Sequence, residues 1–229
     1  MNKQSFITIL FILLMSMTGA KTFAHNIEVA NNDGVTIYYV WTNNNTKLAV
    51  SYRGSESDSY SNEYTGNVVI PESVKYNGNT YPVTSIGNSA FYVCSGLTSI
   101  NIPNSVTSIG NDAFQYCGSQ LHVIVPVTDY SAFCNNDIIN LVRTKIGKPV
   151  QLIDSEGKKI TEYIVPNDVI SIGNFAFSGC SGLTSITIPN SITSIGDFAF
   201  ERCNLSTIIS EIEEPFAINE IFSPIRMHY

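Results

Sequence analysis

Charge is scarce in this chain: of 229 residues only 14% are Asp, Glu, Lys or Arg, and there are three His and one Trp. Twelve basic against nineteen acidic residues leave a formal charge of −7. The basic residues form no run or Arg cluster, so the phosphate neutralisation that nucleic-acid binding requires is excluded as a main activity. Five Cys are too few for a disulfide scaffold at this length, and none stands in a CxxC pair, which removes zinc ribbons and thioredoxin-type redox motifs. GxSxG, HExxH, GxGxxG and the P-loop pattern are all missing, so the sequence offers no nucleophile elbow, zincin helix or phosphate-cradling loop. A catalytic role and a cofactor are therefore not expected. The chain is nevertheless 44% hydrophobic with 11% aromatics, far too apolar for disorder.

Long apolar runs are also missing. The strongest, Phe6 to Met17, is about twelve residues, short of the roughly 20 that a membrane span needs. Lys3 precedes it and the small residues Thr18, Gly19, Ala20, Thr22 and Ala24 follow, which is the order of a secretory signal cleaved after Ala24. No Cys follows the run directly, so a lipid-modified N-terminus is not indicated. Removing residues 1–24 would delete Lys3 and Lys21 and no acid, leaving an acidic mature chain of charge −9 without a transmembrane segment. Export to the exterior or the cell surface is the expectation, and attachment to a cell would need a partner.

What the chain has in abundance is itself. Ile86–Ser108 reads IGNSAFYVCSGLTSINIPNSVTS and Ile172–Ser194 reads IGNFAFSGCSGLTSITIPNSITS, identical at 18 of 23 positions. Weaker copies begin at Ile109 (IGNDAFQYC) and Ile195 (IGDFAFERC), so that Phe91/Phe114, Phe177/Phe200, Cys94/Cys117 and Cys180/Cys203 are each 23 apart. A fixed period of this size means stacked repeats. Within a unit, Leu97, Ile100 and Ile102, like Leu183, Ile186 and Ile188, end in strand-like alternation. Pro103 and Pro189 stop it, because proline lacks a ladder donor, and Asn-Ser then supplies turn chemistry. Val106 and Ile109 turn inward again, and Ala113, Phe114 and Cys117 put apolar groups on one side of a short helical turn. One such coil buries too little apolar surface to offset the entropy of ordering it, so it must stack on its neighbours.

The pattern resembles the BspA-like class of bacterial leucine-rich repeats, whose motif is close to LTSIxIPxSVTSIGxxAFxGCSG and stands almost verbatim at 97–117 and 183–203. The resemblance implies a β-rich repeat solenoid: a right-handed leucine-rich-repeat coil with a parallel concave sheet and short helical turns on the other side. Around it the sequence divides into a signal peptide (1–24), an N-terminal β-hairpin cap (25–66), a first repeat block (67–126), an inserted helix and hairpin (127–159), a second block (160–212) and an incomplete C-terminal unit (213–229). The cap rests on two alternating stretches, 35–42 and 47–53, around Asn43-Asn44-Asn45. Tyr76-Asn77-Gly78-Asn79 predicts a small hairpin budding from the first block. Residues 150–153 and 159–165 predict another around Ser155-Glu156-Gly157.

Candidate chemistry is thin. His25 and His228 lie near the ends of the mature chain, and His122 takes an outward strand position with no nucleophile motif beside it. The Cys pairs 94/117 and 180/203 would be stacked neighbours close enough to bridge. Ladder side chains run parallel, however, and a Cys at this position behaves as a small buried hydrophobe, so free thiols are favoured over disulfides, with Cys134 the odd one out. Glu56/Asp58 and Glu213/Glu214 lack a calcium loop's spacing, and no metal is expected. The outward strand positions are more informative. Aligned on the prolines, Asn67, Ser99, His122, Glu162 and Ser185 form one column, with Thr207 by extension. Beside it run Val69, Asn101, Ile124, Ile164, Thr187 and Ile209. Four β-branched hydrophobes in the second column either mark a partner surface or simply express strand propensity.

Two functions remain open. The resemblance implies a non-enzymatic protein-binding module, similar to adhesins that bind host or matrix proteins or other cells. The alternative is a structural module that stacks with other repeat chains through its incomplete C-terminal unit.

Overall fold

The computed structural model describes residues 25–54, 62–134 and 138–213, together with 216 and 221. The expected signal peptide (1–24), Glu56/Asp58, Glu214 and His228 lie outside these residues. The chain is a β-solenoid of the expected repeat type.

Each coil contributes one long strand, one short strand and one turn, and each of the three stacks on its own kind. The first long-strand sheet holds β4 (Gly66–Val69), β7 (Leu97–Asn101), β9 (His122–Pro126) and β10 (Val150–Ile153), all parallel. A second holds β11 (Glu162–Ile164), β13 (Ser185–Ile188) and β15 (Thr207–Ser210), also parallel. Alternation explains the core: the buried column Val68, Ile100, Val123, Val150 and the buried column Ile70, Ile102, Val125, Leu152 run inside the first sheet. Pro103 and Pro189 each accept the N–H three residues on, from Val106 and Ile192, which closes the turn that leads to the short strand.

The short strands are β8 (Ser108–Ile109), β12 (Ser171–Ile172) and β14 (Ser194–Ile195), with the end of β6 (Asn79–Ile86) as the first of the kind. β6 pairs with β8, and β12 with β14, in parallel. The IGN motif that follows has a direct steric reason. The Asn88 Oδ1 accepts the Asn111 N–H at 2.9 Å in the next coil, and a Cβ on Gly110 would sit 2.4 Å from the Asn88 nitrogen. Asn174, Asp197 and Gly196 repeat the arrangement.

The turn over AFxxC is a ladder of tight turns in which alternate N–H groups have different destinations. Those of Ala90, Tyr92 and Cys94 bond within the coil, and those of Ser89, Phe91 and Val93 reach the carbonyls of Asn111, Ala113 and Gln115 in the next coil. The second block repeats this, with Phe175, Phe177 and Gly179 bonding to Asp197, Ala199 and Glu201. To turn every second N–H outward, the backbone takes left-handed conformations at Ser89, Val93, Asp112, Tyr116, Phe175, Phe198 and Arg202, and at Gly179.

The N-terminal cap forms as an antiparallel set, β1 (Ile27–Ala30), β2 (Thr36–Thr42) and β3 (Lys47–Ser51). It covers the short-strand column, because β3 pairs in parallel with β6. β5 (Ser73–Tyr76) and β6 form the predicted hairpin, with Asn77 and Gly78 both at positive φ as a two-residue primed turn requires. Between the blocks, α1 (Tyr130–Phe133) and α2 (Ile138–Lys145) precede β10. The predicted turn at 155–157 also forms, with the Asp154 N–H bonded to Lys158 and a bridge between Ile153 and Lys159. Its two arms go to different sheets: β10 becomes the fourth rung of the first and β11 opens the second.

Candidate binding face

The outward residues of the long strands are set by register. Asn67, Ser99 and His122 are adjacent rungs, and the Ser99 hydroxyl donates to Asn67 Oδ1 at 2.6 Å. Glu162, Ser185 and Thr207 form the matching column of the second sheet. The second predicted column likewise falls into two pieces. Val69, Asn101 and Ile124 are neighbours, and the next rung is Gln151 of β10, not Ile164. Ile164, Thr187 and Ile209 form a row of their own. The single row read from the prolines is therefore not continuous. β10 intervenes, and it carries no proline after Leu152 to announce it.

The two pieces differ in exposure. Val69 and Ile124 are half-buried, and Asn31 of the cap donates to the Val69 carbonyl at 2.9 Å. Ile164 is 68% exposed and Ile209 49%, on either side of the half-buried Thr187. Exposed apolar surface on the strand face is thus concentrated on the second sheet. Ile208, which stands in the core column of Tyr163 and Ile186, is 44% exposed where Ile186 is wholly buried. Sequence reasoning missed Ile208 as surface because the repeat pattern assigns that position to the interior.

All five cysteines are free thiols. The Cys117 thiol donates to the Phe91 carbonyl at 3.2 Å and the Cys203 thiol to the Phe177 carbonyl at 2.9 Å, one coil back in each case. Burial pushes Cys117 up to about 11 and Cys203 up to about 12, and raises Cys94, Cys134 and Cys180 as well. These are structural groups, not nucleophiles. Among the described residues no three His, Cys, Asp or Glu side chains gather as a metal site, and no helix is long and apolar enough to cross a membrane.

A family comparison agrees with this architecture. The family model described as "BspA type Leucine rich repeat region" matches residues 56–156 and 155–223 in six copies. No curated protein matches the chain. Among solved structures, a leucine rich cell surface protein from Faecalibacterium prausnitzii is 23% identical over 82% of this chain and 55% of its own, with a TM-score of 0.35. A leucine-rich repeat protein from Bacteroides ovatus is 30% identical over 76% of this chain and 39% of its own, with a TM-score of 0.35. Another from Bacteroides capillosus is 26% identical over 81% and 99%, with a TM-score of 0.32. The chain spans about half the length of the first of these, and less of the second.

Proposed function

The chain belongs to the BspA-type leucine-rich repeat family, and from that premise we propose that it is an exported surface module that binds a protein partner through its strand face. The observation that carries this reading is the exposed pair Ile164 and Ile209 on a sheet whose backbone is fixed by parallel pairing on β13. Exposed apolar side chains on a hydrogen-bonded sheet face fit a macromolecule better than a small molecule, which needs an enclosing cleft. Polar neighbours at Glu162, Ser185 and Thr207 supply the rim. On this reading the partner is a host, matrix or cell-surface protein, and the role is adhesion.

The test is capture of partners by the immobilised chain, followed by titration of a purified partner against Ile164→Lys combined with Ile209→Lys. A loss of at least tenfold in affinity is expected. Unchanged affinity would discard the second sheet as the binding surface, and Ile124→Lys would then probe the first.

Ile208 favours a second reading, in which the outer edge of β15 receives another repeat chain and continues the stack. Concentration-dependent association in light scattering, abolished by Ile208→Lys, would support assembly. A monomer at all concentrations would remove it.

A further inference from the structure

The near-identical repeats differ at five positions, and three of these, Ser89/Phe175, Tyr92/Ser178 and Val93/Gly179, converge on one place in the turn ladder. In the first block that place is filled: Tyr92 meets Tyr116 edge to face with ring centroids 5.5 Å apart. In the second block Ser178 replaces Tyr92 and Gly179 replaces Val93. One period further on, Arg202 stands where the first block has Tyr116. The result is a cavity of about 160 Å³, whose wall is completed by Arg143 of α2, by Lys148 and Pro149 of the loop after it, and by Ser181. Phe175, the third difference, lies under Arg143, whose guanidinium carbon is 3.8 Å from its ring centroid.

The charge is out of keeping with the rest of an acidic chain. Three of the nine Lys and Arg among the described residues line this one cavity. Arg143 donates from one Nη to Asn140 Oδ1 at 3.2 Å, and its Nε–H is buried without an acceptor. Lys148 donates to the Gly118 carbonyl at 3.3 Å. Glu201 is the carboxylate set beside the group: one oxygen lies 3.8 Å from Arg202 Nε and the other accepts the Ser178 hydroxyl at 3.3 Å. Among the described residues set at the cavity, one carboxylate against three cations leaves an excess of positive charge, which a bound anion would offset.

We propose that this cavity binds a sulfate or phosphate group. Planar guanidinium donors match the oxygens of a tetrahedral anion, and Lys148 adds a point charge. The cavity has room for such a group and opens to solvent, where the rest of a larger carrier would lie. The site lies on the turn ladder and α2, so it stands or falls independently of the strand-face reading.

The experiment titrates the full chain by calorimetry with sodium sulfate, inorganic phosphate, glucose 6-sulfate and glucose 6-phosphate, at ionic strength held constant with sodium chloride. Saturable binding of at least one anion is expected, weakened tenfold or more by Arg143→Gln and by Arg202→Gln. Tighter binding of an ester than of its free ion identifies a group carried on a larger molecule; the reverse identifies a free anion. Ser178→Tyr, which restores the first block's side chain, should abolish binding with all three cations in place. Arg202 is 71% exposed, so its replacement leaves the packing intact and decides the matter if Arg143→Gln lowers the thermal midpoint in chloride. No saturable binding, or binding that both Arg variants retain within threefold, overturns the proposal.

Discussion

The two repeat blocks share a motif but not an environment, and the difference shows which features of a coil belong to its sequence and which to its neighbours. A buried tyrosine at the leading edge of each block starts an aromatic ladder. Tyr64 accepts the Tyr38 N–H, donates to the Ser51 carbonyl and packs 4.7 Å from Phe91, which stacks on Phe114. Tyr163 donates to the Tyr130 carbonyl at 2.7 Å and packs 4.9 Å from Phe177, which stacks on Phe200. The hydroxyls anchor unlike elements, the cap in one case and α1 in the other. A repeat chain can thus restart its stack wherever a side chain with an apolar ring and a polar tip closes the first coil. The ends differ more. β9 is followed by β10, whereas β15 leaves Ile208 and Ile209 exposed.

The largest effect tests whether the blocks are one folding unit. Phe91 and Phe177 are both fully buried, and Phe177 also touches the ring of Phe133. Truncation of either to Ala should cost about 3–5 kcal/mol. The blocks share one continuous core and are joined by hydrogen bonds from Val150 to Gly179 and from Ile160 to Leu152. Both substitutions should therefore shift a single denaturant transition, with the fluorescence of Trp41 in the cap coinciding with far-UV circular dichroism. If Phe177→Ala moves the dichroism and leaves the Trp41 signal in place, the blocks are two separable domains.

Next in size is the position at which the turn ladders diverge. Val93, Tyr116 and Arg202 hold φ of 57°, 60° and 56°, in the left-handed region, where Gly179 holds 75°. A β-branched side chain is the least suited to this conformation. Val93→Gly should therefore stabilise the first block by about 1 kcal/mol, and Gly179→Val should destabilise the second by about 1–2 kcal/mol. Thermal or denaturant midpoints measure both. Equal and negligible effects would mean that the second block's glycine was not placed for its backbone, leaving the cavity beside it as the reason.

Much of this was legible because a period of 23 makes every statement about one coil a statement about four. The buried columns through Ile100 and Ile186, the proline-closed turns and the hairpin at Asn77-Gly78 follow from alternation and turn chemistry alone. The hand-off between blocks was not. Val150 and Leu152 alternate as Ile100 and Ile102 do, but Asp154 heads a turn where Pro103 stands. Which sheet each arm then joins is decided by edge bonds from residues distant in sequence, such as Val123 to Pro149. The left-handed turn residues were hidden too, since only one of the eight, Gly179, is the glycine that advertises such a position. Of the strand-face residues, the alignment on prolines gave the right partners within each sheet, Asn67 with Ser99 and Ile164 with Thr187. It failed only where β10 interposes Gln151.

The effect that vanishes at neutral pH concerns the thiols that tie each coil to the one before. Burial raises the Cys117 and Cys203 pKa values from 9.0 to about 11 and about 12 in the folded chain, whereas unfolding exposes both thiols and returns them to the lower value. A group whose folded pKa is raised holds its proton in the folded state after the unfolded state has lost it. Its contribution to stability is therefore complete below pH 9 and declines as pH rises through the folded value. Denaturant midpoints should be flat in this respect from pH 7 to 9 and fall between pH 9 and 12. Replacing Cys203 with Ala should flatten the alkaline limb more than replacing Cys117, because its displacement is the larger. An unchanged limb in both variants would assign the alkaline loss to other groups, the buried Tyr64 and Tyr163 first, whose phenols burial also holds above their ordinary value.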